Sequence, residues 1–228
     1  MTEAEWLSCA NARTLLAFLG EKPGERKLRL FTCACWRQRW PEPTDPRSAW
    51  AVAAAERYAD GLCSWAEVKA AHEEASLCLR AASQALDEAG WGTDRAAFRA
   101  AQDRHRAACA TEWATAGGNI FAAEHVLRLA QEGATKKQRA GFADLVREVF
   151  GNPFRTVPVD PAWLTWHGGL LVSMARRMYD GRDFADMPVL ADALEEAGCT
   201  DASILDHLRS PGAHVRGCWA VDLLLGKE

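Results

Sequence analysis

The residues of this chain whose types and spacing could do chemistry lie near its end: Cys199, His207, His214 and Cys218, with Trp219 directly after. Cysteine thiolates and neutral imidazoles are the usual ligands of protein-bound zinc. The pattern reads C-x7-H-x6-H-x3-C. It contains no paired C-x2-C knuckle, so nothing local pre-positions any two ligands. Convergence must come from the fold. If the last helix begins by Val215, His214 and Cys218 lie about one turn apart on one face, and the turn Ser210-Pro211-Gly212 can bring His207 toward them. The plainer reading is packing. Cys199 and Cys218 would be small buried hydrophobes, His207 would bind the last carbonyls of its helix, and His214 would belong to a turn. On spacing alone the packing reading leads, with a zinc site on Cys199, His207, His214 and Cys218 as its rival.

Other chemistries leave local signatures that this sequence lacks. There is no G-x-G-x-x-G or Walker A loop to cradle phosphates and no G-x-S-x-G nucleophile elbow. A carboxylate-bridged di-iron bundle needs Glu-x-x-His so that both ligands project from one helix face. The residues three before the six histidines are Lys69, Gln102, Ala122, Leu164, Ile204 and Pro211. His72-Glu73-Glu74 opens like a zincin helix, but Ser76 stands where the second histidine is needed. Cys33-x-Cys35 lacks the redox C-x-x-C spacing, and on a helix its thiols point about 200° apart. No partnered nucleophile and base can be picked out, so no catalytic residue is assigned and the sequence leans away from an enzyme.

The elements that must position the cluster are helices. Thr2-Glu3-Ala4-Glu5 and Ser64-Trp65-Ala66-Glu67 are capping boxes, the first opening a helix to Leu19 and the second an Ala-rich helix to Ala89. Residues 25–40 read as a helix, although Leu28-Arg29-Leu30 alternates like a strand; Pro41, Pro43 and Pro46 end it. Asp45-Pro46 and Asp160-Pro161 each pair an N-cap with a first-turn proline. Further helices are expected over about 94–116, 119–132 and 135–150, from Asp160 to Tyr179 with a break at Gly168-Gly169, from Asp186 to Gly198, from Asp201 to Arg209, and from Val215 to Leu225. The proline-rich stretch GNPFRTVPVDPAW is the one credible boundary. The expected fold is all-α with about nine or ten helices: an Ala-rich bundle over 1–151 and a C-terminal helical subdomain over 152–228 packed on it, or one continuous domain.

Composition narrows the setting. The 228 residues are 49% hydrophobic and 25% charged, with a net charge of -4. This is enough apolar material for a core, and no global field draws the chain to nucleic acid or anionic membranes. The start, MTEAEWLSCANARTLL, has early acids and no basic region before an apolar one, so no secretory signal is read. No apolar run approaches the roughly 18 residues of a membrane span. A reducing cytoplasm follows, in which the eight cysteines are thiols. The ten tryptophans are expected as core anchors. Residues 25–40 interleave Arg26, Lys27, Arg29, Arg37 and Arg39 with Phe31, Trp36 and Trp40, a composition that nucleic-acid surfaces share. Residues 186–228 carry eight acids against three basic residues, so a match within the chain answers those arginines equally well.

At CTDASILDHLRSPGAHVRGCWAVDLLLGKE, and at MTEAEWL with RKLRLFTCACWR, the sequence resembles a group of uncharacterised helical proteins from planctomycete bacteria. The likeness covers both ends and is looser through the Ala-rich middle. It implies a bacterial cytosolic setting and supplies no activity, cofactor or site residue. The expected function is therefore a non-catalytic helical interaction or adaptor module that binds another protein and needs no cofactor. The alternative is a zinc-binding protein using the Cys/His cluster, and an enzyme with an unfamiliar site comes third.

Overall fold

A computed structural model describes residues 1–40, 45–90 and 94–227, so the expected stops Pro41 and Pro43 lie outside the described residues. Those residues form thirteen α-helices and no strand. The helices are α1 (Glu3–Ser8), α2 (Ala12–Leu19), α3 (Glu25–Arg39), α4 (Pro46–Ala59), α5 (Trp65–Ala89), α6 (Arg95–Ala116), α7 (Ile120–Gln131), α8 (Lys136–Phe150), α9 (Pro161–Thr165), α10 (Leu170–Gly181), α11 (Met187–Glu196), α12 (Ala202–Arg209) and α13 (Trp219–Leu225). Among the described residues, no helix is long and apolar enough to cross a membrane.

The all-α expectation holds, and the count of nine or ten was too low. One expected helix is broken, and one expected break separates two helices. The broken helix stops at Ser8, because the Asn11 side chain accepts from the amides of Arg13 and Thr14 and starts α2 afresh. The break expected at Gly168-Gly169 is present, where a single 3₁₀ turn, Trp166–Gly168, leads from α9 into α10. There His167, Gly168 and Gly169 are all left-handed, a run that a helix cannot absorb. The caps read from sequence do form. Thr2 and Ser64 complete capping boxes, and Asp45, Asp160 and Asp201 accept from the first-turn amides of α4, α9 and α12.

The chain divides into two compact units, Ala10–Leu145 and Met1–Cys9 with Val146–Glu228. The last turn of α8 and the N-terminal nine residues belong with the C-terminal segment. The Glu3 carboxylate accepts from Asn152 (2.7 Å) and pairs with Arg155. The Arg147 guanidinium donates to the Trp6 carbonyl (2.8 Å) and to that of Cys9, closing the C-terminal end of α1.

In the Ala10–Leu145 unit, α5 and α6 pack along each other with α4, and α3 crosses to α7. Alanines Ala51, Ala54, Ala71 and Ala75 form one close contact between α4 and α5. The α3 arginines do not wait for an external ligand. Arg26 pairs with Asp60, Arg29 with Glu25, Arg37 with Glu56 and Arg39 with Asp103. These carboxylates come from residues 25–103 and not from the acidic 186–228 segment considered above. The core of the other unit joins Leu171, Met178 and Tyr179 of α10, Leu190 and Leu194 of α11, Ile204 and Leu208 of α12, and Val221 and Leu224 of α13.

Candidate metal centre

Three of the four sequence-chosen residues come together in that unit. His207, His214 and Cys218 meet Glu148, and the four donor atoms lie within 4.8 Å of one another. Cys199, the fourth expected ligand, is not in the group. The left-handed Gly198 turns the chain after α11 and points Cys199 into the apolar core, where it is buried beside Leu194 and Ile204. Among the described residues the structure thus groups Glu148, His207, His214 and Cys218 and leaves Cys199 outside that group.

Each donor has a local reason for its place. The apolar stripe of α8 is Phe142, Leu145, Val146 and Val149, and Glu148 flanks it about 100° from Val149. The helix ends two residues later, at Phe150, and the left-handed Gly151 follows. Asp201 starts α12 and Ile204, Leu205 and Leu208 bury one side of it, which leaves His207 in the last turn. Pro211 then prevents continuation. The last helix does not begin by Val215. It begins at Trp219 with Cys218 as its N-cap. His214 and Cys218 therefore do not share a helix face, and the irregular turn 213–217 brings them together instead.

Distances within the group are short. Nε2 of His207 lies 3.2 Å from Sγ of Cys218 and 3.2 Å from Oε2 of Glu148. Nδ1 of His214 lies 3.2 Å from each Glu148 oxygen. Four ligands around zinc at about 2.0–2.3 Å stand about 3.3–3.8 Å apart, so the group is close to the size of a tetrahedral shell. Contacts around it also orient the donors. The Val215 amide donates to Oε1 of Glu148 (3.2 Å), which leaves Oε2 toward His207. Nε2 of His214 donates to the Ser210 carbonyl (3.3 Å). This is the far-nitrogen bond that fixes a ligating histidine, and it turns Nδ1 inward without a proton in the neutral ring. The His207 ring packs against those of His214 and Trp219, with centroids 5.2 and 5.0 Å away.

Electrostatics give the group two uses. Burial works against the Glu148 charge, but hydrogen bonds from His207 and His214 and their positive charge hold its pKa to about 2. Burial lowers the affinity of His214 for a proton, yet the Glu148 carboxylate and the Ser210 carbonyl raise its pKa overall. Burial and the Glu148 charge push the Cys218 thiol well above its ordinary value, against the pull of the Val221 and Ala220 amides. A buried carboxylate facing two imidazoles and a thiol can be satisfied by a proton on His214, or by a divalent cation that displaces that proton and the thiol's. Thiolate, imidazole and carboxylate together suit zinc.

The sequence argument missed Glu148, whose signal was slight: an acid at the edge of an apolar stripe, in LVREVF, distant in sequence from the other three. No family model matches this chain, and no curated protein and no solved structure matches it.

Proposed function

We propose that this protein binds one zinc ion through Glu148, His207, His214 and Cys218, and that the ion serves the architecture of the C-terminal unit. One observation carries the reading: four ligand-type atoms from α8, α12, the following turn and the start of α13 lie within 4.8 Å of one another. The ion would tie these elements together, much as structural zinc contributes folding energy in small domains. Four protein donors, largely buried, match the closed shell of structural sites better than the open position of catalytic ones. A bacterial cytosol fits this reading, because a reducing compartment keeps Cys218 available as a ligand.

Elemental analysis of protein made without a metal-binding tag tests this directly. The expected result is one zinc per chain, with a thermal midpoint that falls on chelation and recovers with zinc. Substoichiometric zinc, with no gain in stability when zinc is added back, overturns it.

A second role, docking of another protein, is favoured by large apolar side chains left exposed on the Ala10–Leu145 unit. They include Trp50 on α4, Trp65 and Leu77 on α5, and Phe121 on α7. Solvated aromatic surface of this kind is used at interfaces. A helical module that holds its C-terminal unit with zinc and offers these residues to a protein partner needs no catalytic group. Affinity capture from the native host should return a stoichiometric partner that is lost in a Trp50→Ser/Phe121→Ser variant. Retention of the partner by that variant moves the surface elsewhere, and no partner at all removes the role.

A further inference from the structure

The four donors are not held equally. Glu148 is fixed by the Val215 amide and His214 by the Ser210 carbonyl, and both side chains are nearly inaccessible. Cys218 is fully buried. The His207 side chain is 17% exposed, the highest of the four. Both of its polar contacts are at Nε2, to Cys218 and Glu148. Among the described residues, Nδ1 of His207 has no protein group bonded to it, only the ring packing of Trp219 and His214. A ligating histidine is ordinarily oriented by a hydrogen bond from its far nitrogen. His207 lacks that restraint and sits on the solvent side.

We propose that His207 occupies the exchangeable position of this centre, and that a small neutral nitrogen donor of the azole type can take its place. The inference rests on the zinc reading above. Charge selects the ligand class. A dication bound by the Glu148 carboxylate, the Cys218 thiolate and neutral His214 has no net charge. An incoming anion would leave a net negative charge in a largely buried site, which costs desolvation, whereas a neutral ring nitrogen leaves the balance as it was. In the exchange, the bond from the metal to Nε2 of His207 breaks and a bond to the incoming nitrogen forms, with no proton or electron transferred. The same charge balance disfavours ionisation of a water at that position, so the open form is suited to binding a neutral ligand and not to generating hydroxide.

The cobalt(II)-substituted protein reports the exchange through its visible bands and its thiolate-to-cobalt charge transfer. Titrating wild type with imidazole should shift the visible bands saturably while the charge-transfer band persists. His207→Ala should still take up cobalt through the three remaining donors, with affinity lower by more than the roughly 10–100-fold typical of outer-shell losses, and imidazole should restore a four-coordinate spectrum. Azide should need at least about tenfold more than imidazole, in line with about 1.4 kcal/mol per decade. His214→Ala, whose ring lies in the enclosed part of the site, should not be rescued. If wild type binds no cobalt, both this inference and the zinc reading fall. If wild type binds one cobalt but imidazole leaves the bands unchanged or strips the metal, or if His207→Ala is not rescued or His214→Ala is rescued as well, the exchangeable position is overturned and the zinc reading stands. Azide as effective as imidazole overturns the ligand class.

Discussion

Nδ1 of His214 lies 3.2 Å from both carboxylate oxygens of Glu148, a residue 66 positions earlier in the chain. With Nε2 of the same ring donating to the Ser210 carbonyl, the inner nitrogen must carry a proton or face a cation. A bare neutral ring would set a lone pair against a carboxylate. That choice between proton and metal underlies the pH dependence expected of the unit.

In the chelated protein the pair should stabilise a limited pH window. The Glu148 carboxyl is held to about 2, against 4.5 ordinarily. Its contribution is therefore full above about pH 4.5 and lost as pH falls toward 2. The pKa of His214 is raised above 6.5, so its contribution is full below 6.5 and lost as pH rises through the raised value. Both describe one interaction, worth roughly 3 kcal/mol at most. Zinc needs the Cys218 thiolate and an unprotonated Nδ1, so its stabilising effect should grow as pH rises. Urea midpoints measured at about pH 4, 6 and 8, with chelator and with zinc, would show the two curves diverging. A zinc effect that does not change between pH 6 and 8 would count against this account.

The proposed ligand set separates two cysteines that look equivalent in sequence. Cys199→Ala should keep one zinc per chain and cost about 1–2 kcal/mol for an altered core contact. Cys218→Ser should lose the thiolate-to-cobalt band and lower metal affinity by more than the roughly 10–100-fold typical of outer-shell losses. Elemental analysis beside the cobalt spectrum decides it, and equal losses in both variants would return Cys199 to the site.

What could be read from sequence was local. Thr2 with Glu5, Ser64 with Glu67, and Asp45, Asp160 and Asp201 all cap where their spacing says they should, because a cap is completed within one turn. The restart at Asn11 was also written locally, yet the apolar periodicity running past it suggested one helix. The candidate metal group was legible only as to residue type. His207, His214 and Cys218 announce themselves by chemistry, whereas Glu148 belongs with them only because α8 returns to the C-terminal unit. Four of the ten tryptophans, Trp6, Trp36, Trp40 and Trp163, are buried anchors as expected, and Trp50, Trp65 and Trp113 are exposed. Composition cannot make that distinction, because burial of an indole depends on which face of its helix finds a neighbour.

The Arg37–Glu56 pair should be the most sensitive polar contact of the Ala10–Leu145 unit. Nε and Nη2 of Arg37 donate to the two Glu56 oxygens at 2.7 and 2.9 Å, and Glu56 is buried. Removing Glu56 leaves the Arg37 charge without its partner; because that side chain is 35% exposed, the cost is about 1–3 kcal/mol, below that of a fully buried pair. Glu56→Ala should lower the unfolding free energy by that much in denaturant titration. The double variant Arg37→Met/Glu56→Leu should recover most of the loss. A double variant no better than the single one would show that the geometry of the pair, and not its charge balance, is what the unit requires.

Gly151 joins the end of α8 to the candidate metal centre. Its left-handed backbone (φ +68°) lets its amide donate to the Arg147 carbonyl at 2.9 Å, which closes the helix just after Glu148. A side chain there is strained by about 1–2 kcal/mol, and an added Cβ would lie 3.2 Å from Cγ of Trp219. Trp219 in turn packs on the His207 ring. Gly151→Ala should therefore lower the thermal midpoint and also shift the visible bands of the cobalt protein, because the displaced indole presses on the least restrained ligand. Gly181→Ala is the control. That glycine ends α10 without a left-handed backbone, and an added Cβ meets nothing within 4 Å, so the change should be neutral or stabilise by up to about 1 kcal/mol. If Gly151→Ala lowers stability and leaves the cobalt spectrum untouched, Trp219 does not transmit the strain to His207, and the ring contact between them is packing alone.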